Sequence, residues 1–169
     1  MIWIANIVGI CAVILFVLSY QMKTRKGIVV TNAVSRALYV AQYLLLGAYE
    51  GAVLDVVGIL ASVLAQHREK YKKAARWLCL GVNLLIVAVG LLLWKNWFSL
   101  LPMLGVLFHT GAFWLTNEKQ IRLLSLLGSP CWLAYNLYCL AYGSALGDAF
   151  TICSILIALL RFQERSKPQ

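Results

Sequence analysis

Seven long stretches of this chain are almost free of charge, and they constrain its fold more than any other feature. They cover about residues 3–20, 28–47, 51–66, 77–94, 97–114, 123–142 and 146–161. Their lengths approach the roughly 17–25 residues that a helix needs to cross the hydrocarbon core of a bilayer. Of the 169 residues, 62% are apolar and 12% charged, and a fold of this size cannot bury so much apolar surface against itself. The excess must face lipid. Low charge, no glycine period and unbroken apolar runs exclude disorder, collagen and coiled coil.

The formal net charge of +9 would point to nucleic acid in a soluble protein. Here the basic residues stand between the apolar runs, so the expected partner is the lipid bilayer and no nucleic acid. Five cysteines, Cys11, Cys79, Cys131, Cys139 and Cys153, lie inside the runs with no CxxC pair. They read as small buried hydrophobes, and no metal, cofactor or disulfide is expected.

The first run has no basic residue before it and no small-residue cleavage site after it, and Lys23, Arg25 and Lys26 follow it directly. It reads as a retained helix with its far end in the cytoplasm, not as a signal peptide. Alternation from there gives inner loops carrying Arg68, Lys70, Lys72, Lys73 and Arg76, then Lys119 and Arg122, then Arg161, Arg165 and Lys167. Together with Lys23, Arg25 and Lys26, these make up 13 of the 15 basic residues. Outer turns fall near Glu50, Asn96 and Ser144 with only Lys95 among them. The expected arrangement is a multi-pass protein with its N-terminus outside and its C-terminus in the cytoplasm.

Shifted by 93 residues, the chain matches itself. Between 26 and 68, 11 of 43 positions are identical, among them Lys26 with Lys119, Ala48-Tyr49 with Ala141-Tyr142, Asp55 with Asp148, and Arg68 with Arg161. Such self-similarity reads as a duplication. Each unit holds three runs, and the run at 77–94 returns the chain so that both triplets enter the membrane in the same direction. The expected fold is an all-α integral membrane protein of seven transmembrane helices, two parallel three-helix repeats joined by a linker helix. The whole chain is one membrane domain: repeat one about 1–68, linker about 77–94, repeat two about 95–161, tail 162–169.

Polar groups inside hydrocarbon need a partner, a wet cavity or an exit to the interface. Arg36 and His109, each about 12 Å inside the cytoplasmic boundary at 1.5 Å per residue, are candidates for a gate or polar contact. Their plain alternatives are snorkelling and a bond to a neighbouring carbonyl. Gln42 beside Tyr39 and Tyr43, and Asn136 beside Trp132 and Tyr135, suggest a central pocket. Tyr39, Gln42, Trp132, Tyr135 and Asn136 are therefore the candidate substrate contacts, and the alternative is an aromatic packing face tied by amides. Pro102 and Pro130 are candidate hinges. Asp55 and Asp148 are expected to cap helix N-termini. Trp94 and Trp97 are expected interfacial anchors, and Gly58 with Ser62 a small-residue helix contact.

The 3+1+3 plan resembles the SWEET, PQ-loop and nicotinamide-riboside-carrier superfold, although Pro102-Met103 and Gly9-Ile10 stand where PQ-loop proteins have Pro-Gln. Over nearly the whole chain, the motifs Leu101-Pro102 with Gly105, Cys131-Trp132 with Asn136, Gly143-Ser144 and Arg161-Phe162 resemble the YgjV-type bacterial inner membrane proteins. That resemblance implies the bacterial inner membrane. The expected function is transport of a small polar solute by alternating access between the two bundles, without ATP, since no Walker-type loop occurs. The alternative is a non-transporting component that binds a partner protein through the basic loop 67–76. No catalytic constellation is present, so no enzyme is expected. A homo-oligomer is compatible with the sequence.

Overall fold

The computed structural model describes residues 1–19, 25–66, 71, 74–115 and 117–165. Among these are seven α-helices: α1 (Ile2–Ser19), α2 (Arg25–Leu45), α3 (Tyr49–Gln66), α4 (Ala75–Leu92), α5 (Leu100–Phe113), α6 (Glu118–Tyr138) and α7 (Tyr142–Arg165). Each falls on one of the seven expected runs. A 3₁₀ turn, Trp97–Ser99, leads into α5, which takes the place of the continuous helix expected from residue 97. Asn96 sets that turn by accepting the Phe98 N–H, and Ser99 Oγ accepts those of Lys95 and Asn96. The basic residues Lys23, Arg68, Lys70, Lys72, Lys73 and Lys167, and most of the loop 67–76, lie outside the described residues.

Helix neighbours form a closed circuit. α1 packs on α2, α2 on α3, α3 on α5, α5 on α6, α6 on α7, and α7 returns to α1, while α4 lies outside against α3 and α5. Alanine makes up much of the buried surface, including Ala5, Ala12, Ala48, Ala52, Ala61, Ala65, Ala112, Ala141 and Ala145. Small side chains let helix backbones approach closely, which is how helices gain packing energy where the surroundings are as apolar as they are.

Two helix ends are built alike. After α2, Gly47 takes a left-handed φ of 71° and the Ala48 N–H reaches the Tyr43 carbonyl (2.9 Å). After α6, Leu140 takes φ 59° and the Ala141 N–H reaches the Asn136 carbonyl (2.8 Å). Both are Schellman closures, and the two left-handed residues are 93 positions apart. At Leu140 the side chain makes that conformation cost about 1–2 kcal/mol.

The distribution of polarity is inverted relative to a water-soluble fold. Gln42, Asn136, Ser35 and Ser129 are fully buried, while Ile4, Ile7, Leu60, Leu84, Leu92, Phe150 and Leu160 are exposed. Within the described residues, Ala75–Leu92 and Tyr142–Leu160 are the two segments long and apolar enough by themselves to cross a membrane, with Ile2–Leu18 and Trp97–Ala112 as shorter apolar helices. Only 11% and 22% of the two longer segments are buried, so neither is the core helix of a soluble protein.

Candidate functional site: a polar seam between helices

The polar side chains of α2 and α6 meet inside the bundle, towards the C-terminal ends of both helices. Tyr43 and Asn136, at matching positions under the 93-residue shift, bond each other, the tyrosine hydroxyl donating to Asn136 Oδ1 (2.8 Å). Asn136 Nδ2 donates to Asp148 Oδ2 on α7 (2.7 Å). The Tyr43 ring stacks on Trp132 (centroids 6.0 Å apart, planes 25° apart), and Trp132 meets Tyr135 edge-on (6.1 Å).

Beyond this centre, bonds come in corresponding pairs towards the end where α2 passes into α3 and α6 into α7. Ser144 on α7 donates to Gln42 Oε1 (2.6 Å), and 93 residues earlier the Gly51 N–H on α3 donates to Tyr135 Oη (3.0 Å). The Gly143 N–H donates to Asn6 Oδ1 (3.4 Å), and at the matching positions Ser99 donates to Glu50 Oε1 (2.9 Å). Gln42 Nε2 also donates to Asn6 Oδ1 (3.3 Å), and the Tyr135 hydroxyl to Glu50 Oε2 (3.3 Å).

Glycines make room for these side chains. A Cβ on Gly9 would collide with the Gln42 amide, one on Gly51 would lie 2.6 Å from the Tyr135 ring, and one on Gly105 2.6 Å from the Trp132 ring. One on Gly128 would lie 2.5 Å from the His109 ring. Gly147 stands under Tyr39, whose hydroxyl would be 2.9 Å from an added Cβ.

On the other side of Trp132 lies a small cavity of about 40 Å³, room for one or two waters. Its walls are Arg36, Asp55, Gly58 and Ser62 from α2 and α3, and Val106, His109, Thr110 and Trp132 from α5 and α6. Arg36 pairs with Asp55 (3.5 Å), both side chains being largely shielded. His109 Nε2 lies 3.3 Å from the Ser125 carbonyl and 3.2 Å from Ser129 Oγ. Pro130, next in the chain, is in the interior of α6. Pro102 is buried in the first turn of α5, where an N–H would have no intrahelical acceptor, so the helix starts there without penalty.

Several expectations change. Asp55 and Asp148 do not cap: α3 and α7 begin at Tyr49 and Tyr142, so both carboxylates are nearly two turns inside, beyond the unpaired N–H groups, and bond Arg36 and Asn136 instead. Glu50 and Ser144 are not loop residues but buried first-turn positions. The matched pairs are Tyr43 with Asn136 and Gln42 with Tyr135, and Tyr43, Asn6, Glu50 and Ser99 belong to the seam although none was among the candidates. The 93-residue alignment carried that signal. Of the five candidate contacts, Trp132 borders the small cavity, and Gln42, Tyr135 and Asn136 bond within the seam. Trp94 and Trp97 are exposed and meet edge-on (5.8 Å) at the α4–α5 turn.

A helical bundle with buried amides, carboxylates and serines inside an exposed coat of isoleucine, leucine and phenylalanine defines an all-helical membrane protein. Residues 3–166 match the family model Imp-YgjV, bacterial inner membrane protein, and the chain belongs to that family. No curated protein and no solved structure matches it.

Proposed function

We propose that this protein is a carrier that moves a small polar solute across the bacterial inner membrane by alternating access. The moving parts are two three-helix bundles, α1–α3 and α5–α7, joined by α4 in the SWEET-like 3+1+3 plan, with the N-terminus outside and the C-terminus in the cytoplasm. The observation that carries this reading is the cavity beside Trp132, to which each bundle contributes four wall residues. Groups shared in this way separate when the bundles rock, and the Arg36–Asp55 pair and His109 then become free to bind a polar solute. The corresponding bonds at Gln42, Glu50, Tyr135 and Ser144 hold the bundles together at the outer end, so the conformation described corresponds to an outward-closed state. Exchange of the Tyr43, Gln42 and Asn136 bonds for bonds to the solute would lower the cost of opening. Facilitated diffusion is the simplest form, with no cofactor and no catalytic step.

The test is a thermal-shift screen of the detergent-purified protein against sugars, nucleosides, vitamins and amino acids, followed by uptake of any stabilising compound into proteoliposomes. The expected result is one compound class that stabilises the protein by mass action and enters protein-containing vesicles, with uptake lost in Trp132→Ala. Stabilisation without uptake, or no stabilising compound at all, overturns the carrier reading. In that event, co-purification of a partner that requires Lys70, Lys72 and Lys73 would favour the partner-binding alternative.

A further inference from the structure

A second space bounded by this seam lies at the end of the bundle where α2 passes into α3. It is a half-open cleft of about 290 Å³, room for roughly ten waters. Its polar walls are Glu50, Lys95, Asn96, Ser99, Tyr135 and Cys139. The corresponding place 93 residues later has no carboxylate: Gly143 lies there, pressed against the backbone of Gly9. One half of this end is therefore sealed by two glycines, and the other holds an acid and a space.

Glu50 is only 7% exposed. Burying a carboxylate costs several kcal/mol unless partners replace its water, and a neutral side chain would serve if it had only to tie Ser99 to Tyr135. Each of its oxygens receives one hydroxyl hydrogen bond, and each carboxylate oxygen has two acceptor sites. The nearby cation is loosely held. Lys95 Nζ is 3.9 Å from Glu50 Oε2, its side chain is 55% exposed, and it also lies over the Tyr49 ring at 5.4 Å. The cleft thus offers one fixed negative group and one mobile positive group, with no net charge between them.

We propose that this cleft binds a small zwitterion of the free amino acid class, its ammonium group on Glu50 and its carboxylate on Lys95. A ligand with both charges matches both walls, whereas a simple amine leaves Lys95 without an anion and a simple acid faces the Glu50 carboxylate. The site needs no rocking of the bundles and does not depend on the carrier reading.

Cys139 lines the same cleft, so its thiol reports occupancy. The experiment uses the detergent-purified full chain, alkylated with a water-soluble maleimide, with modification of Cys139 followed by peptide mass spectrometry. Each proteinogenic amino acid is added at millimolar concentration, beside propylamine and propionate as single-charge probes. At least one amino acid is expected to slow Cys139 alkylation in a saturable way, with propylamine and propionate ineffective. Loss of one charge-assisted contact in Glu50→Gln or in Lys95→Gln is expected to raise the half-protecting concentration by about tenfold or more. Lys95 is largely exposed, so Lys95→Gln keeps the test decisive even if Glu50→Gln fails to fold. The proposal is overturned if no amino acid protects, if propylamine or propionate protects as well as the best amino acid, or if Lys95→Gln is protected at an unchanged concentration.

Discussion

Replacing Gly143 by alanine adds a single methyl group at the tightest backbone contact of α1 with α7. That carbon would lie 2.5 Å from the Gly9 carbonyl carbon and 2.7 Å from Gly9 Cα and Ile10 N, where carbon contacts rest at about 3.5–4.0 Å. All three neighbours are backbone atoms, so no side chain can turn aside and the helices must part by about 1 Å. Overpacking of this kind costs about 1–3 kcal/mol. Parting the helices also stretches the Ser144–Gln42 and Gly143–Asn6 bonds, each worth about 1 kcal/mol. The total is about 2–5 kcal/mol. At the roughly 2–4 °C per kcal/mol of soluble domains of this length, the melting temperature should fall by about 4–20 °C. Gly81→Ala is the matched control, the same chemical change on α4 with nothing within 4 Å of the new carbon. There the gain in helix propensity, about 1 kcal/mol, should leave melting unchanged or raise it. Both variants are melted in one detergent and followed by far-UV circular dichroism. If Gly143→Ala melts no lower than Gly81→Ala, the backbone contact of α1 with α7 is refuted.

Three further outcomes follow from the seam and the turns. Arg36→Gln should lower stability by about 1–3 kcal/mol, the partial exposure of the pair reducing the full buried-pair cost; Asp55→Asn added to it should restore at least half, and a purely additive thermal-melt cycle would show that the pair does not interact. Tyr43→Phe leaves Asn136 Oδ1 without its 2.8 Å donor and should cost about 1–3 kcal/mol in a thermal melt, whereas adding Asn136→Leu should cost more again, because it also removes the donor to Asp148. Leu140→Gly relieves a left-handed leucine and, after glycine's larger unfolded-state entropy is subtracted, should raise stability by up to about 1 kcal/mol; the reverse exchange, Gly47→Leu, should lower the melting temperature.

What was legible in the sequence was what repeats. Charge-free runs located all seven helices because only continuous apolar surface is stable against lipid, and the 93-residue self-match located the corresponding turns. What was not legible depended on one or two residues of helix phase or on three-dimensional filling. A helix beginning at Tyr49 rather than near Gly51 moved Asp55 out of capping range and into reach of Arg36. Nothing in the local sequence marks Leu140 as left-handed, since leucine is a poor choice there; only its match to Gly47 points to it. The candidate contacts were identified as polar and aromatic, but side-chain volume and the glycines beneath them decide that they close on one another and leave space beside Trp132 and beside Glu50.

The circuit of helices closes through α7, and this bears on how the protein is made. Gly143, Ser144 and Asp148 supply partners to Asn6 on α1, Gln42 on α2 and Asn136 on α6, so three helices wait for one synthesised after them. Until α7 leaves the ribosome, those amides sit in lipid or its boundary with unmet hydrogen-bonding capacity, a costly condition in hydrocarbon. A nascent chain stalled before residue 142 therefore presents polar helices to insertion chaperones and membrane proteases. Arrival of α7 is thereby converted into a physical signal that quality control can read.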